Sequence, residues 1–204
     1  KEFRDIQLAF LKSSTPDSEI PTDHAIVSLM NQAAKKMGIR HVIPGTNVRT
    51  ETHLPAAWSR GHGDWEYIRS VHKLFGTKKI KTYPHSHLIN SIRYKKTLDW
   101  FPILDYIDFV KGDAKKLLEN EFDWRDYGGK HYESVYTRFY QGYILPKKFG
   151  FDKRRSHLSS LICSDEIERK SALEELTKPP YPIPDQQNDR EYVAKKLGLT
   201  VEEF

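Results

Sequence analysis

The stretch PTDHAIVSLMNQAAKKMGIRHVIPGTN, residues 21–47, decides the fold class. Pro21 followed by Thr22 and Asp23 reads as a helix start, with Thr22 or Asp23 as the cap. Ile26, Leu29, Met30, Ala33 and Met37 recur at spacings of three and four, so they predict the buried stripe of that helix. Gly38 ends it. Ile39–Ile43 follows as a short strand, and Gly45-Thr46-Asn47 comes directly after. A helix, a short strand and a glycine turn form the unit of which α/β sheets are made. In such sheets ligands collect beyond the carboxyl ends of strands. Backbone N–H groups at Gly45–Asn47 suit a phosphate, and Glu51 is a carboxylate suited to Mg²⁺ bound with substrate phosphates. The plainer reading is a tight turn with a surface glutamate.

Working outward, Val48–Gly63 is polar and irregular and reads as a loop. Asp64 caps an expected helix to Phe75, with Trp65, Ile68, Val71, His72 and Phe75 inward. Lys78–Tyr83 alternates like a strand or extended segment, and a short helix is expected around His87–Tyr94. Leu98–Phe109 fits either extended or helical structure, and Asp113–Asn120 reads as a helix. Upstream, residues 1–13 have helical spacing from the outset, with Lys1 rather than Met in first place. That is expected of a piece of a longer protein. Downstream, Asp152 caps an expected helix over Lys153–Cys163, and Glu166–Leu176 is another. Pro182 and Pro184 suggest an extended linker before a last helix from Asp189. The expected organisation is an α/β core over residues 1–110 and a helical region over 111–204.

The 204 residues carry a net charge of +5, which favours anionic partners. A single cysteine excludes an internal disulfide framework and fits the cytoplasm. Cys163 itself, beside Leu161 and Ile162, reads as a small buried apolar residue rather than a nucleophile. No apolar run is long enough to span a membrane. His85-Ser86-His87 has the spacing of a zinc pair but no further ligand nearby, so an exposed loop is the simpler reading. The aromatics keep helix-core spacing and form no strand-borne RNA-binding motif, so nucleic acid is not favoured.

Residues 124–155, WRDYGGKHYESVYTRFYQGYILPKKFGFDKRR, hold the densest mixture of aromatics, cations and turn residues. Gly128-Gly129 reads as a turn, and a helix is expected from Lys130. Tyr132, Val135, Tyr136, Phe139 and Tyr143 would form its aromatic face, and Lys130, Glu133 and Arg138 part of the other. With Lys153, Arg154 and Arg155 just beyond, the stretch suits a large anionic ligand, or equally a plain amphipathic helix.

YGGKHYES (127–134) and DKRRSHLS (152–159), with PTDHAI, AAKKMGIRHVIPGTNVRTE and ALEELTKPPY, resemble the N-acetyl sugar amidotransferases of surface-polysaccharide biosynthesis. The resemblance extends over essentially the whole chain, and GTNVRTE also looks like a segment of NAD synthetase. That family belongs to the ATP-pyrophosphatase (PP-loop) superfamily. The resemblance implies an incomplete PP-loop parallel sheet, like that of adenine nucleotide hydrolases, with a helical C-terminal extension. It also implies ATP and Mg²⁺ as cofactors, and a carbon–nitrogen ligase that makes an acetamidino group in lipopolysaccharide, O-antigen or nonulosonic acid synthesis. The substrate is a diacetamido sugar, as a nucleotide sugar or a free acid. A separate glutaminase subunit would supply ammonia, and a homo-oligomer stays open. The family's Ser-Gly-Gly-Lys-Asp-Ser phosphate loop is not among these residues and would precede Lys1, so the chain alone is expected to be inactive.

By the same resemblance Gly45, Thr46 and Asn47 lie near the nucleotide and Glu51 near Mg²⁺, with Lys79 or Lys81 on a phosphate. Lys130, Glu133 and Arg138 are the expected catalytic residues, and Gly128, Gly129 and His131 bind the acidic sugar or its diphosphate. Lys153, Arg154 and His157 complete that anion site or dock the partner. Two alternatives stand beside this one. One is a tRNA-modifying PP-loop enzyme. The other is a non-catalytic helical module for an anionic glycan or a partner.

Overall fold

A computed structural model describes residues 1–51 and 54–204. The chain is mostly helical with one two-stranded parallel sheet, which is consistent with the α/β class. It divides into two compact units. One comprises Lys1–Pro44 and Pro55–Pro102, the other Gly45–Leu54 and Ile103–Phe204. Among the described residues no helix is long and apolar enough to cross a membrane.

The first unit holds α1 (Glu2–Lys12), α2 (Ile20–Lys36), β1 (His41–Val42), α4 (Trp65–Phe75), α5 (Leu88–Thr97) and β2 (Asp99–Trp100). Its core is Ile6, Ala9 and Phe10 of α1 against Trp65, Ile68 and Val71 of α4, closed by Ile20 and Tyr83. α4 starts as the sequence predicts, with Asp64 Oδ1 accepting from Tyr67 N at 3.0 Å. Phe75 is exposed rather than inward. β1 and β2 run parallel with His41 opposite Asp99 and Val42 opposite Trp100.

Two further expectations for this unit are corrected. α2 begins at Ile20 with Glu19 as its cap, because Pro21 occupies the first turn, where its missing N–H costs nothing. Its apolar stripe does not face inward: Leu29 is 55% and Met37 72% exposed, and Ile26 and Met30 are exposed as well. The inward face is Ile20, Pro21, His24, Ser28, Asn31 and Ala34. Two of the polar members on that face, His24 and Asn31, find partners within the unit, which periodicity could not show. His24 bonds to His62 O and Ser86 N, and Asn31 to the Trp100 indole.

Of the two readings open for Lys78–Tyr83, the structure takes the extended segment, for no strand forms there. Its backbone donors go to carboxylates of α1 instead of to a neighbouring strand. Asp5 accepts from Thr77 N and Lys78 N at 2.9 Å each, from Thr77 Oγ1 at 2.6 Å, and bonds His72 Nε2 at 2.8 Å. Glu2 Oε2 accepts from the N–H groups of Lys81, Thr82 and Tyr83. Burial opposes ionisation of Asp5. The donors from Thr77, Lys78 and His72 outweigh it and hold the carboxyl well below its ordinary range.

The second unit holds α3 (Val48–Glu51), α6 (Lys111–Phe122), α7 (Val135–Phe139), α8 (Arg154–Cys163), α9 (Arg169–Thr177) and α10 (Ile183–Leu197). The loop expected over 48–63 thus opens on the single turn of α3, and residues 52 and 53 lie outside the described residues. The region of 98–109 resolves into β2 and a 3₁₀ turn over Ile103–Tyr106. α7 starts at Ser134, whose Oγ accepts from Thr137 N, and not at Lys130. Gly128 and His131 hold φ of +86° and +64°, and these left-handed residues keep the chain in a turn until then. From Tyr140 to Phe149 the helix widens into a π-helix that contains Pro146. Pro182 and Pro184 open α10 instead of forming a linker, since proline suits a helix's first turn. Cys163, expected inside, is exposed at the end of α8.

Candidate functional site

A cationic pocket of about 190 Å³ lies in the second unit, lined by Lys111, Gly128, Gly129, Lys130, Lys153 and His157 among others. Beside it lies α3, which Lys130 contacts. Asn47 is buried, and its Oδ1 accepts from Thr50 N at 2.9 Å, capping that turn. Asp105 Oδ1 accepts from Val48 N at 2.7 Å, and Ser164 Oγ donates to Arg49 O at 3.0 Å, fixing α3 beside α8. Lys130 reaches across to it. Its Nζ donates to Thr50 O at 2.9 Å and stands 3.4 Å from Glu51 Oε1.

The turn that presents Lys130 explains both glycines. Asp126 Oδ1 accepts from Gly128 N at 2.9 Å, and Gly128 takes the left-handed conformation. A Cβ on Gly129 would meet the Tyr132 ring at 2.6 Å. Lys115 pairs with Asp126 and holds the turn to α6.

Electrostatics set the character of the pocket. Burial lowers the Lys130 pKa. Glu51 offsets part of that, and Lys111 and Lys153 add to it. Burial also lowers the Lys111 pKa, with Lys115 nearby contributing. His157 is pushed down to about 3, by burial first and then by Lys130, Lys153, His131 and Lys111. It is therefore a neutral imidazole at neutral pH. Glu51 is paired, while the ammonium groups of Lys111 and Lys153 make no hydrogen bond or ion pair among the described residues. Clustered cations of which two lack such partners favour an anion between them.

The expected residues divide. Glu51, Gly128, Gly129, Lys130, Lys153, Arg154 and His157 come together, though Arg154 is taken up by Asp152 and by the carbonyls of Glu175 and Lys178. Arg138 is instead a strut: its Nε and terminal nitrogen donate to buried Asp189 at 2.8 and 2.7 Å, tying α7 to α10. Glu133 is exposed, with His131 Nδ1 3.8 Å away, and neither lines the pocket. Gly45 and Thr46 are exposed and follow the carboxyl end of β1 in sequence. Lys79 and Lys81 are exposed in the first unit, on the segment that wraps Glu2 and Asp5. Sequence reasoning missed Lys111. It opens the run KGDAKK, which in one dimension looks like any solvated helix face.

A phosphoryl or carboxylate group fits this lining, but a whole nucleotide exceeds 190 Å³. A resident metal does not fit Glu51: its carboxylate already faces Lys130, and no group of three metal-ligating side chains occurs among the described residues. Cys163 has no described role here.

Residues 133–204 match a family described as "LPS biosynthesis protein WbpG-like, C-terminal domain". No curated protein and no solved structure matches the chain. The matched span carries Lys153, Arg154 and His157, whereas Glu51, Lys111 and Lys130 lie outside it. This similarity supports a place among WbpG-like proteins of polysaccharide biosynthesis.

Proposed function

We propose that the protein is the ATP-using subunit of an amidotransferase that converts an acetamido group of a diacetamido sugar into an acetamidino group. The observation that carries it is that Lys111 and Lys153, beside the Lys130–Glu51 ion pair, make no hydrogen bond or ion pair among the described residues. The WbpG-like match over the helices supports the polysaccharide setting.

The acetamido oxygen would be adenylated at the expense of ATP, with pyrophosphate as the leaving group, so that ammonia can then displace AMP at that carbon. This chain's residues do the rest of the work by charge. Lys111 and Lys153 attract the phosphate or carboxylate of a bound ligand, and desolvation strengthens each contact. Glu51 holds the Lys130 ammonium in place and keeps it charged, so that Lys130 can share its remaining hydrogens with the anion. Neutral His157 offers a hydrogen bond without adding charge. A magnesium ion would arrive with the phosphates rather than reside at Glu51. Ammonia is expected from a separate glutaminase, in the cytoplasm.

The test is AMP release by the protein at its natural full length. It is expected to require both ammonia and a diacetamido sugar. Lys130→Ala should lower kcat/KM by about 10²-fold with an unchanged far-UV spectrum. AMP release stimulated by tRNA in place of the sugar would overturn the substrate assignment, and a wild-type rate in Lys130→Ala would remove the pocket from the reaction.

A further inference from the structure

We infer that the first unit contains a separate binding pocket for an uncharged sugar ring, built between α2 and α5. It goes beyond the proposed reaction and shares no residue with the Lys130 pocket.

The cavity measures about 470 Å³, within the usual range for small-molecule sites. Ser28, Asn31, Ser86, Ser91, Tyr94 and Trp100 line it. The inverted face of α2 is the first clue. His24, Ser28 and Asn31 lie one helical turn apart on the buried side, where an ordinary helix would place aliphatic residues. Burying polar groups costs free energy unless each has a partner.

His24 has both of its partners. Its Nδ1 lies 2.7 Å from His62 O, a carbonyl that can only accept, so Nδ1 carries the hydrogen. Its Nε2 then accepts from Ser86 N at 3.2 Å. Burial lowers its pKa and keeps the ring neutral. The other members are incompletely satisfied. Ser86 is 5% exposed, and its Oγ is buried with no partner. Ser28 is 2% exposed, and its Oγ makes no hydrogen bond among the described residues. Asn31 Oδ1 accepts from Trp100 Nε1 at 3.2 Å, which leaves the two hydrogens of its amide nitrogen toward no described acceptor.

Three buried residues thus hold unused hydrogen-bonding capacity on one cavity. A ligand that supplies several donors and acceptors would satisfy all of them at once. The only charged lining residue is Lys95, which is exposed, so the ligand is neutral where it is buried. The apolar part of the lining is the Trp100 indole with Tyr94, Val27 and Leu88. Hydroxyls and an amide beside such apolar faces suit a pyranose, with its hydroxyls on the serines and Asn31 and its C–H face on Trp100.

The 204-residue chain is titrated by saturation-transfer NMR with N-acetylglucosamine, and separately with uridine and adenosine, without ATP. Saturable binding of the sugar is expected. Ser86→Ala should weaken it about tenfold, while the melting temperature stays level or rises because a partnerless buried hydroxyl has gone. Lys130→Ala should leave sugar binding intact, so a failure of the amidotransferase reading would not be mistaken for a failure here. Saturable binding of a nucleoside in place of the sugar, no saturable binding at all, or a lower melting temperature in Ser86→Ala would overturn the inference.

Discussion

Asp5 in the first unit and Lys111 in the second are both charged groups drawn away from solvent, yet their surroundings are opposite. Asp5 is met by four donors from the other end of its unit, and its charge is wholly answered by the fold. Lys111 stands beside Lys130 and Lys153 with no described partner of its own. The first arrangement makes structure, because each bond is satisfied before any ligand arrives. The second leaves attraction over for a molecule outside the chain. Arg138 sharpens the point, since a cation that looks functional in sequence becomes a strut once Asp189 takes two of its three guanidinium nitrogens.

The largest expected effect tests the structural side. Asp5→Ala removes the acceptor for Thr77, Lys78 and His72 together and should destabilise the fold by about 3 kcal/mol. Urea unfolding measures it, and a loss no larger than that of a typical surface change would erase the contrast. A smaller effect is expected on the other side. Lys111→Met keeps the stem but removes the charge, so stability should stay within about 0.5 kcal/mol. Calorimetric affinity for inorganic pyrophosphate should fall about tenfold. A large loss of stability with unchanged affinity would make Lys111 structural after all.

The smallest effect is a slope in pH. The folded pKa of His157 is pushed below its ordinary 6.5 to about 3. The unfolded chain therefore takes up a proton that the folded chain refuses, and stability falls as pH drops from about 6.5 toward 3. Asp5 acts later: its depressed pKa gives stability that is present above 3.8 and is lost below it. In His157→Gln the first decline should flatten while the second remains. An unchanged slope above pH 4 would show that His157 is not the group refusing the proton.

Much of the local structure could be read from the chain. Asp64 as a cap, Gly38 as the end of α2, and the glycine turn before Lys130 each depend on a few neighbouring residues, and each is found. Lys78–Tyr83 could not be read, because the acceptors of its N–H groups sit in α1, more than seventy positions earlier. The buried face of α2 could not be read either. Its apolar stripe is the stronger pattern, but His24 and Asn31 have partners at His62, Ser86 and Trp100.

The candidate site shows the same division. By itself the sequence determined the turn that offers Lys130, the surplus of cations and the helical character of the C-terminal half, since conformational preference and charge are properties of short segments. Only the tertiary structure decided that Lys130 would meet Thr50 and Glu51, far earlier in the chain, that Arg138 would be neutralised, and that Lys111 and Lys153 would be left without partners among the described residues. Pairing of charges depends on distances of a few ångströms between residues far apart in the chain, and the fold alone sets those distances.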